Sequence, residues 1–310
     1  MVEEVAPPRE VFGARKGTGT ISWFHRNPAL SNQHCLYCGR LVGAGSTLDS
    51  DKEHLVARNM GPPGGFADPD AFNFHFRACR DCNKEKAGLE DHVAAVTLLT
   101  SPGRQDEAVD AAARRKAANS YDPRHKGMPV GEVTNTMTLK MGSMFTFGLV
   151  SPAQLDRDKV KLLAFRHIQG LFSLLTSEDP RVVETTCLLP GDHFGFFGTY
   201  PHQDWGNPQL VEIARRAEVV PELGWLTTNN GYFRAVLRRQ DPPGSPWFWA
   251  LEWNKSLRLV GWIGDPENPP EIFADLPDVG WRTTHHEGGG YTRFREEIPL
   301  GETPDLLFAD

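Results

Sequence analysis

Five cysteines occur among the 310 residues. Four of them form two Cys-x-x-Cys pairs: Cys35 and Cys38 in "HCLYCGR", Cys79 and Cys82 in "ACRDCNKEK". A two-residue spacer lets both sulfurs of a pair face one ion, and two such pairs make a tetrahedral four-sulfur zinc site. Gly39, directly after Cys38, suits the tight knuckle such a pair needs. A redox dithiol needs only one pair and usually a βαβ context, and neither fits. A closed four-cysteine zinc does no chemistry by itself. Chemistry has to come from the polar residues between and just after the pairs. These are Glu53-His54 in "DKEHLVARNMG", Asn73 and His75 before the second pair, and Asn83 and Lys86 behind it. A neutral imidazole such as that of His54 can take a proton near pH 7.

The order of these pieces resembles the HNH nuclease family in its zinc-bound four-cysteine form. That pattern runs CxxC, an acid-His pair ending a strand, a glycine-rich loop, an Asn, then CxxCNxxK opening a helix. Here it is carried by Cys35-Cys38, Glu53-His54, "GPPGG", Asn73, and Cys79-Cys82-Asn83 with Lys86. The resemblance covers roughly residues 30–95. It implies a ββα-metal fold: two antiparallel strands, a loop and a helix. On the matching positions, His54 would be the general base that activates water. Glu53 and Asn83 would hold a catalytic Mg²⁺ or another divalent ion, and Asn73 would orient His54. The four cysteines would bind a separate, structural zinc. The implied reaction is hydrolysis of DNA phosphodiester bonds, leaving 5′-phosphate and 3′-hydroxyl ends. A hard cation held by one carboxylate and one amide leaves positions open for phosphate and water. A helix start at Asn83 adds a favourable dipole for phosphate.

The sequence departs from the pattern in four places. The acid is Glu53, Ala57 stands where a proline is common, the Gly64-Gly65 pair comes late, and Asn73 stands six rather than five residues before Cys79. The last departure makes His75 an accessory candidate beside Lys86. The second reading is a catalytically inactive, zinc-stapled nucleic-acid-binding or adaptor protein. Arg114, Arg115 and Lys116 read either as contacts to a DNA backbone or as a solvated helix face. His285 and His286 are adjacent on a strand, so they point to opposite faces and are left out of the site.

The elements that must position these residues read as α+β. An N-terminal ββα-metal module with its Cys₄ zinc is followed by helices and a mixed, β-rich C-terminal region. A helix is expected from Asn83 to about Thr100, and a second, alanine-rich one over 105–118. A third runs from Ser151-Pro152, as N-cap and first position, to about Thr176, with Val160, Ala164, His167, Leu171 and Leu175 on one stripe. Short strands are expected around the first cysteine pair, a strand at "NTMTLKMG", and a hairpin in "PWFWALEW", Asn254-Lys255, "SLRLVGWIG". Seven of the eight tryptophans follow residue 200. Cys187, in the apolar "ETTCLLP", reads as a buried thiol. The expected organisation is a flexible segment 1–20, the nuclease module with its following helices 21–125, a linker 126–150, and an α+β domain 151–310 for specificity, regulation or partner binding. That last domain would serve a protein partner or a small-molecule regulator.

The net charge of -7 argues against a protein that coats nucleic acid indiscriminately. Residues 101–170 carry a basic surplus of four and residues 171–310 an acidic surplus of ten, so a phosphate-binding surface belongs to the first 170 residues. The opening "MVEEVAPPRE" lacks the apolar run of a signal peptide, and no run of 18 apolar residues occurs. No membrane span and a cytoplasmic setting are therefore expected.

Overall fold

The computed structural model describes residues 12–16, 19–20, 32–66, 74–123, 127–133, 136–141, 145–150, 153–176, 188–240, 244–285, 291–299 and 305–308. Asn73, Cys187 and the strand pieces expected over 21–31 lie outside the described residues. The architecture is α+β with antiparallel sheets.

A short hairpin, β3 (Ser50–His54) with β4 (His75–Cys79), runs directly into helix α1 (Arg80–Leu99). α1 buries Leu89, Val93, Val96 and their neighbours, so the 3.6-residue apolar period of the sequence is the face it packs. α2 (Glu107–Asn119) follows and packs against α1, its N-cap Asp106 accepting from the Ala108 and Val109 N–H groups. After a short α3 (Val130–Val133) come a hairpin, β5 (Thr136–Met141) with β6 (Phe145–Val150), and then α4 (Arg157–Thr176). α4 starts later than the Ser151-Pro152 signal indicates. The Asp156 carboxylate accepts from the Asp158 and Lys159 N–H groups and caps it there. The expected stripe is otherwise its buried side, with Val160, Ala164, His167 and Leu171 all buried.

The rest is organised by a seven-stranded antiparallel sheet in the order β2 (Gly19–Thr20), β1 (Phe12–Lys16), β8 (Glu222–Thr228), β9 (Phe233–Arg239), β10 (Trp247–Trp253), β11 (Leu257–Ile263), β7 (Phe194–Pro201). Residues 12–16, expected as loose chain, instead pair with the edge of β8, which satisfies their backbone groups. The expected hairpin is β10–β11, closed by Asn254 and Lys255 at φ 55° and 51°, the left-handed turn that matches strand twist. Trp247, Trp249, Leu251 and Trp253 join a core shared with α1 and α4. Phe248 and Ala250 alternate onto the other face, under α5 (Pro208–Glu218). Both faces are covered, so both strands are buried throughout, and each reads as an apolar run broken by one charge, Glu252 in β10 and Arg258 in β11. A second small hairpin, β12 (Arg282–His285) with β13 (Tyr291–Phe294), follows. Among the described residues no helix is long and apolar enough to cross a membrane.

The core that begins at Cys35 continues without a break through α1 and α4 into the sheet. Two asparagines from sheet turns lock that joint. Asn254 Nδ2 donates to the Met60 carbonyl at 3.0 Å and to Thr97 Oγ1 at 2.8 Å. Asn229, at φ 55° in the β8–β9 turn, lays its amide against Gly61 and Gly65, where a Cβ at either position would overlap it. Gly61 and Gly65 of "GPPGG" are therefore fixed by close approach of a distant side chain, and Gly64 by its left-handed φ of 81°.

Candidate active site and four-cysteine cluster

β3 and β4 pair with Ser50 opposite Cys79 and His54 opposite His75. Cys79 ends the strand and Cys82 lies in the first turn of the helix that continues from it, so the second pair straddles the strand–helix junction. The first pair sits on a knuckle. The Gly39 N–H donates to the Cys35 carbonyl and the Cys35 N–H to the Arg40 carbonyl, both at 2.9 Å, with Gly39 at φ 72°. Asn32 binds this segment to the hairpin by accepting from the Arg77 N–H at 2.7 Å and donating to the Arg77 carbonyl at 2.9 Å. From the other side, α4 holds it through Arg166 and Gln169, which donate to the Tyr37 carbonyl at 3.2 and 3.1 Å.

All four cysteine sulfurs lie within 4.8 Å of one another, with Cys38 Sγ and Cys79 Sγ 3.7 Å apart. A regular tetrahedron of ~2.3 Å zinc–sulfur bonds has edges of about 3.8 Å, so the four thiols can hold a zinc ion. Their electrostatics point the same way. Contact with Cys82 holds the Cys35 thiol down to about 5 against the opposing effect of burial, while contact with Cys35 pushes Cys82 up and burial pushes Cys79 up. Each thiolate thus resists ionisation of the next, and a cation at the centre relieves the conflict. Arg40 adds positive charge outside, donating to Cys38 Sγ at 3.3 Å and Cys79 Sγ at 3.2 Å.

Strand alternation separates the two halves of the Glu53-His54 dipeptide. Glu53 points inward with Phe76. His54 points to the other face and meets His75, the ring centroids 4.3 Å apart and the planes edge to face. Both Nε2 atoms are buried and have no hydrogen-bond partner among the described residues. Burial first, then the Lys52, Arg58 and Lys86 charges, press His54 down to about 4. Burial, then His54, Lys52 and Arg58, do the same to His75, also to about 4. Both imidazoles are therefore neutral at pH 7, each with one nitrogen able to accept a proton.

The inward face carries a buried ionic cluster. Lys86 Nζ lies 2.8 Å from Glu53 Oε1 and 2.6 Å from Glu90 Oε1, and donates to the His54 carbonyl at 3.1 Å. Lys86, Glu53 and Glu90 are all within 5% of full burial. Tyr37 Oη donates to Glu53 Oε1 at 3.2 Å. The Ala57 N–H donates to Glu90 Oε1 at 2.9 Å, a bond a proline at that position could not make. His167 from α4 approaches Glu90 at 3.7 Å, beyond hydrogen-bond range, and burial presses its pKa down to about 4. Burial raises Glu53, which Lys86 only partly offsets. At Glu90 burial is the largest effect, but Lys86 and His167 together outweigh it and the carboxyl is lowered. Burial also works against the Lys86 ammonium, but Glu90 and Glu53 outweigh it and keep it charged.

No protein-family model, curated protein or solved structure matches this chain. The site therefore stands on its own geometry.

The structure gathers the four cysteines as expected, and it brings His54 and His75 together. Asn83 sits half-buried in the first turn of α1, with no hydrogen bond to Glu53 or His54. Lys86, expected as an accessory at the surface, is instead wholly buried. Glu90, His167 and Tyr37 escaped the sequence reading. The Lys86–Glu90 spacing of four was a usable signal, since it puts both on one helix face. Of the basic run in α2, Arg114 pairs with Asp110 at 2.7 Å and Lys116 with Asp91 at 3.0 Å, and Arg115 is exposed.

Proposed function

We propose that residues 32–99 form an HNH-type endonuclease module in which zinc at Cys35, Cys38, Cys79 and Cys82 staples the hairpin to α1 and His54 takes the proton from an attacking water at a DNA phosphodiester. The observation that carries this reading is the strand-end His54. It is neutral, its buried Nε2 has no hydrogen-bond partner among the described residues, and it is fixed on a ββα unit beside four clustered cysteines. A zinc held there would contribute a cross-link and no chemistry of its own. Lys52 and Arg58, both exposed, bring positive charge to the same face, where phosphates would approach. His75 would hold the His54 ring edge to face. The Lys86 bond to the His54 carbonyl fixes the backbone from which that ring projects.

A divalent ion between Glu53 and Asn83 does not fit this arrangement. Glu53 already faces the Lys86 ammonium, on the side of the hairpin away from His54. That same observation favours a second reading, a zinc-stapled nucleic-acid-binding or adaptor protein in which Lys86 occupies the place of a catalytic cation. The experiment is cleavage of supercoiled plasmid by the zinc-loaded protein with added Mg²⁺, Mn²⁺ or Ni²⁺. The nuclease reading expects nicking that falls at least ~100-fold in His54→Ala at unchanged zinc content. DNA binding with no cleavage under any of the three ions would replace it by the second reading.

A further inference from the structure

A cavity of about 690 Å³ opens on the far side of α1 from the cysteines. It falls within the size range of small-molecule sites, about 300–1,000 Å³. Its floor is the edge strand β7, and its walls are the C-terminal turn of α1, the start of α4, and the segments around Trp281 and Arg295.

Three features of this cavity point to a ligand. The first is charge. Residues 171–310 carry ten more acidic than basic side chains, yet among the described residues no lining residue is acidic and two, Arg157 and Arg295, are cationic. Arg157 is exposed and has no partner among the described residues. Arg295 donates to the buried Asp204 at 2.6 Å, and its buried Nε has no hydrogen-bond partner among the described residues.

The second is a flat apolar surface. Trp281 is 49% exposed, a large aromatic left bare at the cavity wall, with the Arg295 guanidinium 5.0 Å over its ring. The third is the floor itself. Gly198 stands in the middle of β7 beside an irregularity in its pairing with β11, and its backbone is not left-handed. A Cβ there would meet only the Tyr200 ring, at 3.8 Å. Neither φ nor a packed neighbour requires this glycine. A strand glycine accompanies a bulge or a close approach to the backbone, and here it also leaves the cavity floor open. The outer edge of β7 also offers backbone N–H and C=O groups to the rim of a polar ring.

We propose that this cavity binds a small anionic aromatic molecule of nucleoside-monophosphate size, its ring against Trp281 and its phosphate at Arg157. The site is separate from His54 and independent of the nuclease reading.

The test is equilibrium binding of adenosine, guanosine, cytidine and uridine 5′-monophosphates to the full zinc-loaded chain, with the matching nucleosides and inorganic phosphate alongside. At least one monophosphate is expected to saturate a single site, about tenfold or more tighter than its nucleoside. Gly198→Leu, which fills the floor, and Arg157→Ala should each weaken it about tenfold or more, and His54→Ala should leave it unchanged. Absence of saturable binding by all four monophosphates overturns the proposal. So does equal binding by Arg157→Ala, a surface substitution that decides the matter should Gly198→Leu lower the melting temperature. Binding lost in His54→Ala and kept in the other two would place the nucleotide at the nuclease site and overturn it as well.

Discussion

The β3–β4 and β10–β11 hairpins share a local geometry and have opposite interiors. In β10–β11 all fourteen strand positions are buried: twelve are apolar or glycine, and the two charged ones, Glu252 and Arg258, lie opposite each other and pair at 2.9 Å. In β3–β4 only four of ten are buried, and behind them stand four sulfurs and a Glu–Lys–Glu cluster. Where apolar area is plentiful, burial at roughly 25 cal/mol per Å² carries the fold. Where it is scarce, a site for a metal cross-link and a three-member charge cluster stand in its place. Such elements are stable only when complete, because an unpaired buried charge costs more than the pair contributes.

The contrast can be broken experimentally, and the largest effect should come from removing the metal. Chelation is expected to strip hydrogen-exchange protection from residues 32–99 first, since metal binding supplies on the order of 10 kcal/mol in small zinc modules. Protection in β10 and β11 should persist, and simultaneous loss would show one cooperative unit. Next is Lys86→Met, which leaves two carboxylates buried without a counter-charge. It should cost ~3–5 kcal/mol in denaturant unfolding, with part recovered when Glu53→Gln and Glu90→Gln are added.

Acid should act on both regions, since His167 packs on Phe233 and Trp253 of the large sheet and burial lowers His202 as well. His54, His75 and His167 titrate near 4 in the fold against about 6.5 in the unfolded chain. Between those values the unfolded state binds more protons, so stability is full above pH 6.5 and falls as pH drops toward 4. Their substitution by Gln or Phe should flatten that slope. Asn254→Ala, which removes the bonds to Met60 and Thr97 across the joint, should cost ~1–3 kcal/mol with zinc content unchanged. Arg114→Ala, on an exposed helix pair, should cost about 0.5 kcal/mol or less and serves as the baseline.

What the sequence made legible was local. Cysteine spacing, the 3.6-residue period of α1 and the alternation around Asn254-Lys255 each act over a few residues, and each foretold its element. The alternation rule that set His285 and His286 aside applies equally to Glu53 and His54, and it separates a carboxylate from a base that the family resemblance would join at one ion. Lys86 read as a surface cation because one sequence does not show that α1 turns it inward toward β3. The purpose of Gly61 and Gly65 was illegible for a similar reason, since the side chain that needs the space is Asn229, in a turn of a different sheet. Ser151-Pro152 is a sound helix start locally, yet the capping carboxylate of Asp156 sets the actual one.

The central claim is that His54, and not the cysteines or Glu53, is where a bond is cut. Plasmid cleavage rates for wild type, His54→Ala and His75→Ala, each at full zinc occupancy and in the same divalent ion, test it most directly. The account predicts a loss of at least ~100-fold for His54→Ala and a smaller one for His75→Ala, which acts through ring orientation. A His54→Ala protein that nicks DNA as fast as wild type would contradict it.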